Sequence, residues 1–88
     1  MRKWKITLQR KAAKQLQKLP KAIQNMAFEL MEDLEAEGAI PQYWDVKKTS
    51  DSEYRIRINY RYRMRYRVER EELIIEVFYI GHRKEAYQ

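Results

Sequence analysis

The stretch EYRIRINYRYRMRYRVERE, residues 53–71, sets Arg55, Arg57, Arg61, Arg63, Arg65 and Arg67 at odd positions, with tyrosine, isoleucine, methionine or valine at the even positions from Tyr54 to Val68. A guanidinium is always protonated and offers five donors in a planar fork, so it binds phosphate and steadies developing negative charge but cannot act as a base. A second group of reactive types closes the chain as IGHRKEAYQ, where an acid, a base and a further cation come together in sequence. His82 is the only histidine, and an imidazole with an ordinary pKa near 6.5 is the natural proton carrier, although a lone histidine is more often a plain polar residue. With one histidine, no cysteine and no cluster of carboxylates, neither a metal site nor a cofactor is expected.

What must position these groups is legible from periodicity. Lys3 to Leu8 alternates Trp4, Ile6 and Leu8 against polar residues, the pattern of a half-buried strand. From Gln9 to Leu19 the apolar residues step by three and four, which predicts a helix; Pro20 either interrupts it or begins the next helix at its first turn. Lys21 to Glu37 carries one apolar stripe through Ile23, Met26, Ala27, Leu30, Met31 and Leu34, with Gly38 and Pro41 as its stop. Ala39 to Ser52 lacks a period and reads as a crossover loop. After Glu69 to Glu72, a polar turn, Leu73 to Gly81 is apolar on both parities, as suits a strand in the middle of a sheet. The order strand, helix, helix, strand, strand, strand predicts an α+β fold with two N-terminal helices on one face of a small antiparallel sheet.

The arginine-rich stretch is too long for one ordinary strand and is read as a hairpin near Asn59. Only a loop with an odd number of residues keeps its two apolar sets on one face. With Asn59, Tyr60 and Arg61 as the loop, Ile58 faces Tyr62, Arg57 faces Arg63 and Arg55 faces Arg65. Tyr54, Tyr62 and Tyr66 then point away from the arginines and belong to a core beneath the helices. Tyr60, at the turn, is the exception. Like charges opposite one another cost roughly a few tenths to one kcal/mol per pair, so something must compensate. A run of charge is ordinarily a solvated strand face, but almost no acid lies between Arg55 and Arg67. A face of one sign points instead to a phosphate-binding surface.

The chain of 88 residues has room for a single domain, residues 1–88. Its net charge of +6 favours a polyanionic partner: nucleic acid, an acidic protein segment or an anionic membrane. The absence of cysteine removes disulfides and thiol chemistry. The N-terminus MRKWKITLQRK lacks the apolar core of a signal peptide, and no run nears the roughly 18 apolar residues of a membrane span. A cytoplasmic location without membrane contact is therefore expected.

Taken in order, KLP after a first helix, YRIRI, YRMRYRV and a terminal IGHRKEAY resemble the RelE/ParE superfamily of toxins, and its RelE branch in particular. The resemblance spans essentially the whole chain. It implies the toxin of a type II toxin–antitoxin pair, neutralised by a cognate acidic antitoxin, that cuts mRNA in the ribosomal A site without a metal and so inhibits translation. Matched position by position, the family's catalytic residues fall on Arg55, Arg57, Arg63, Arg83 and Tyr87, with His82 at a position that is histidine in many members and lysine in others. Arg61, Arg65, Arg67 and Lys84 would add RNA affinity. The usual GDYRVIY is replaced by NYRYRMRY, which removes a glycine from the turn and puts Arg65 where an aliphatic residue is common. The branch of the superfamily that inhibits DNA gyrase shares the fold but generally lacks this basic set; a non-catalytic RNA- or antitoxin-binding module is a third possibility.

Overall fold

The computed structural model describes residues 3–84. Its elements are β1 (Lys5–Leu8), α1 (Arg10–Gln17), α2 (Lys21–Glu37), β2 (Val46–Lys48), β3 (Glu53–Arg57), β4 (Tyr62–Glu69) and β5 (Ile74–His82). The strands form one sheet in the order β1-β5-β4-β3-β2. Both helices cover one face, where Ala12, Leu16, Ala27, Leu30 and Leu34 meet Tyr54, Ile56, Met64, Tyr66 and Val77. The α+β class with two helices on one face is the one expected.

Helix boundaries follow from local chemistry. Pro20 is extended (φ −53°, ψ 146°), separating the helices rather than kinking one of them. Its carbonyl accepts hydrogen bonds from the N–H groups of Ile23 (2.9 Å) and Gln24 (2.9 Å), opening α2. At the other end Gly38 takes φ +94°, and a Cβ there would lie 2.8 Å from Nε1 of Trp4. Glycine is thus required twice over, for its backbone and for the indole that packs on it.

Three features depart from the sequence expectation. The sheet is mixed, because β1 runs parallel to β5, with Lys5 opposite Ile74 and Leu8 opposite Val77. The expected crossover loop contains the short strand β2, antiparallel to β3 with Val46 opposite Ile56; three residues are too few to register a period. Between Arg65 and Tyr66 the β4–β5 ladder shifts: Arg65 pairs with Tyr79, but Tyr66 pairs with Val77. Phe78 is the extra residue, a β-bulge that changes the phase of β5 midway. This is why β5 looks apolar on both parities. Ile75, Val77 and Ile80 are buried in the core, while the ring of Phe78 lies beneath the arginines on the opposite face, 5.1 Å from the Arg65 guanidinium and 5.0 Å from that of Arg67. The central place of β5 agrees with its composition.

Candidate phosphate-binding cleft

The hairpin has the register that parity required. Arg57 stands opposite Arg63, Ile56 opposite Met64, Arg55 opposite Arg65 and Tyr54 opposite Tyr66. The N–H of Ile58 donates to Tyr62 O at 3.0 Å, closing a loop of Asn59, Tyr60 and Arg61. Tyr54 and Tyr66 are buried (1% and 0% exposed), stacked with centroids 5.6 Å apart. Tyr66 donates a short hydrogen bond to Ala39 O, and Tyr54 OH accepts one from Arg70 at 2.6 Å. Burial, and secondarily Tyr54, pushes the Tyr66 phenol well above its ordinary value, so it stays protonated.

On the other face the arginines divide into two groups. Arg67 donates to Glu53 Oε2 (3.1 Å) and Glu76 Oε1 (3.3 Å), and Arg65 lies 3.7 Å from Glu53 Oε1. With Phe78 under both guanidiniums, these two cations are neutralised and stacked within the sheet surface. Here is the compensation for cross-strand repulsion. Glu53 opens the stretch, but Glu76 comes from a different strand.

Toward the hairpin tip the balance changes. A shallow cleft of about 70 Å³ is walled by Asp45, Lys47, Arg55, Arg57 and Arg63. Four cations thus face one carboxylate, Asp45 Oδ2, which lies 3.7 Å from Arg57 Nε in an exposed ion pair. Such a pair is weak in water, so an incoming phosphate competes with Asp45 for Arg57 at small cost. Lys47 joins the cleft because β2 places it opposite Arg55. Neither Lys47 nor Asp45 was expected from the sequence; once β2 is recognised, its pairing with β3 brings both forward.

Arg63 is only 6% exposed. Its Nη1 donates to the carbonyls of Asn59 (2.7 Å), Tyr62 (3.0 Å) and Tyr60 (3.4 Å), so this arginine braces the turn as well as lining the cleft.

Beyond the cleft, Arg63 pairs with Gly81 and Tyr62 with His82. The N–H of Arg83 donates to Arg61 O at 2.7 Å, extending that ladder by one pair. Strand alternation puts Arg83 on the arginine face with Gly81 and Arg63. His82 falls on the other side, its ring edge-on to Tyr62 at 6.1 Å, with Nδ1 accepting from the Lys84 N–H at 3.3 Å. Gly81 leaves room for the Tyr79 hydroxyl, which crosses it to donate to His82 O at 3.1 Å and would have to shift if a Cβ were added, 2.6 Å away. Arg61 and Lys84 are exposed at this end. Tyr87 lies outside the described residues. The structure therefore brings Arg55, Arg57 and Arg63 around one cleft, sets Arg83 on the same face, turns His82 away and commits Arg65 and Arg67 to ion pairs. Among the described residues no group of three His, Cys, Asp or Glu side chains could hold a metal ion, and no helix is long and apolar enough to cross a membrane.

Over residues 6–87 the chain matches the family described as the ParE toxin of the type II toxin–antitoxin system parDE. No curated protein sequence matches it. Among solved structures it is similar to the archaeal RelE–RelB complex of Pyrococcus horikoshii, at 26% identity and a TM-score of 0.78 over 91% of this chain and 94% of that one. The RelB–RelE complex of Methanococcus jannaschii aligns at 23% identity and a TM-score of 0.76, covering 92% and 94%. The YoeB dimer of Staphylococcus aureus aligns at 23% and 0.74, covering 89% and 94%.

Proposed function

The chain belongs to the ParE toxin family of type II toxin–antitoxin systems, within the RelE/ParE superfamily, and from that premise we propose that it is a ribosome-dependent endoribonuclease that cleaves mRNA in the A site without a metal. The observation that carries this reading is the cleft of Lys47, Arg55, Arg57 and Arg63 on an open sheet face, the basic set that gyrase-directed members generally lack. Cleavage would use the ribose 2′-OH as nucleophile on the adjacent phosphate. Guanidiniums fixed on neighbouring strands hold that phosphate and stabilise the charge gathering on its oxygens, with little reorganisation as the reaction proceeds. Arg83, just past the end of β5, adds a further cation. Proton transfer falls to Tyr87 or His82; the orientation of His82 toward Tyr62 favours Tyr87, a phenol that would need cations beside it to give up its proton at neutral pH.

An acidic, amphipathic antitoxin is the expected partner, covering the basic sheet. The similar archaeal toxins were solved as complexes of RelE with RelB, and charge complementarity to the arginine face supports the same kind of partner here.

Primer extension on mRNA in a translation reaction tests the proposal. Cleavage within codons is expected, with Arg83→Ala and Tyr87→Phe each lowering it by roughly 100-fold or more while circular dichroism stays unchanged. Naked RNA should be cut far more slowly than ribosome-bound message. The match to ParE toxins supports a second reading, the inhibition of DNA gyrase that resemblance to that branch implies; intact message together with inhibited supercoiling would establish that reading and remove the first.

A further inference from the structure

The three residues at the hairpin tip are held far more firmly than a surface turn requires. Asn59 Oδ1 accepts from the N–H groups of Arg61 (2.9 Å) and Tyr62 (2.9 Å), an Asx turn. Arg63 Nη1 clamps the carbonyls of Asn59 and Tyr62 from below. Between these restraints sits Tyr60, 67% exposed. Turn positions are ordinarily filled by small or polar residues, and a large ring in this place contributes nothing to the core. Its one described ring contact is the guanidinium of Arg83, 4.7 Å from the centroid. Arg83 is itself anchored through its N–H to Arg61 O at 2.7 Å, and strand alternation sets it on the face of the cleft. Tyr60 therefore presents an aromatic ring from a restrained turn at the tip of the hairpin whose strands carry the cleft residues Arg55, Arg57 and Arg63, with a cation against the ring and most of its surface open to solvent.

Aromatic rings beside cations that track a phosphate backbone are how proteins take hold of single-stranded nucleic acid, because every base has a π face. We infer that Tyr60 is a stacking platform for an unpaired nucleobase of the RNA strand whose phosphates enter the cleft. The inference rests on the ribonuclease reading for its ligand. It assigns the base of one nucleotide to Tyr60 and the neighbouring phosphates to Arg83, Arg57 and Arg55. Recognition of this kind is tolerant of base identity and adds affinity and register to the basic cleft.

The test measures binding of the full-length protein to a short single-stranded RNA and to the same RNA made abasic at one position at a time, for wild type, Tyr60→Phe, Tyr60→Leu and Tyr60→Ala. Tyr60→Phe should bind as wild type, whereas Tyr60→Leu and Tyr60→Ala should bind roughly 5- to 150-fold more weakly. One abasic position should erase the difference between wild type and Tyr60→Ala. The slope of log affinity against log salt should stay the same in all four proteins. A ring that merely props up Arg83 would lower that slope by about 0.7 on removal, one phosphate contact on a single strand. Equal binding by Tyr60→Ala, a reduced slope, persistence of the Tyr60 effect at every abasic position, or no RNA binding by the wild type at low salt would each overturn the inference. Cleavage is scored separately on programmed ribosomes: an inactive wild type that still binds RNA through Tyr60 removes the ribonuclease reading and leaves the platform, while an active one indifferent to Tyr60 does the reverse.

Discussion

Arg57 and Arg63 stand directly opposite one another across β3 and β4, yet the Arg57 side chain is 52% exposed and the Arg63 residue only 6%. Strand alternation makes them equivalent; the carbonyls that converge on Arg63 Nη1 and the exposed Asp45 beside Arg57 tell them apart. Arg57→Ala should cut cleavage about 100-fold and change unfolding free energy by less than about 1 kcal/mol. Arg63→Ala should cost about 1–3 kcal/mol, because it strips a charged donor from half-buried turn carbonyls; urea denaturation of both variants checks this. Loss of activity in Arg63→Ala is thus partly loss of the turn. The arginine face itself was legible in the sequence, since an odd loop was the only way to keep Tyr54, Ile56, Met64 and Tyr66 together. Its division into a half that lines the cleft and a half paired with glutamates was not, because Glu76 and Phe78 reach Arg67 from β5.

The elements that position the cleft were read with uneven success, for reasons of length and phase. Helix α2 has a long apolar stripe and a glycine stop, and its bounds, Lys21–Glu37, are as expected. The strand β2 offers only Val46 as an apolar marker, so Lys47 and Asp45 were passed over as loop. In β5 the bulge at Phe78 changes the phase of the pattern, which mimics a strand buried on both sides. The stop of α2 carries its own prediction. Gly38→Ala must place a side chain at φ +94° and 2.8 Å from the Trp4 indole, costing about 1–3 kcal/mol for the backbone alone. A lower denaturation midpoint with a shifted tryptophan emission is expected, together with unchanged cleavage per folded molecule, because the strain lies on the helical side of the sheet.

Across the whole molecule, charge and hydrophobicity are divided between the two sides of one sheet. Helices cover the apolar face, and the opposite face holds the arginines of β3 and β4. Helix α1 adds Arg10, Lys11, Lys14 and Lys18 on its outer side with no acid in its first turn. A partner that masks the cleft must supply negative charge, so antitoxin binding should weaken by at least about tenfold between 50 and 200 mM salt. Calorimetric titration across that range checks it, and a salt-insensitive complex would mean that apolar contacts dominate.

Strand β5 lies between β1 and β4 although it is the last of the five in the chain. During synthesis β1 has no neighbour to pair with until residues 74–77 have been made, and the segment separating Lys5 from Ile74 must close before the ladder forms. Arg83 and its contact with Tyr60 come later still. A nascent chain therefore cannot complete its sheet, or set Arg83 against Tyr60, until β5 has emerged from the ribosome, so the fold closes around the last strand to be translated.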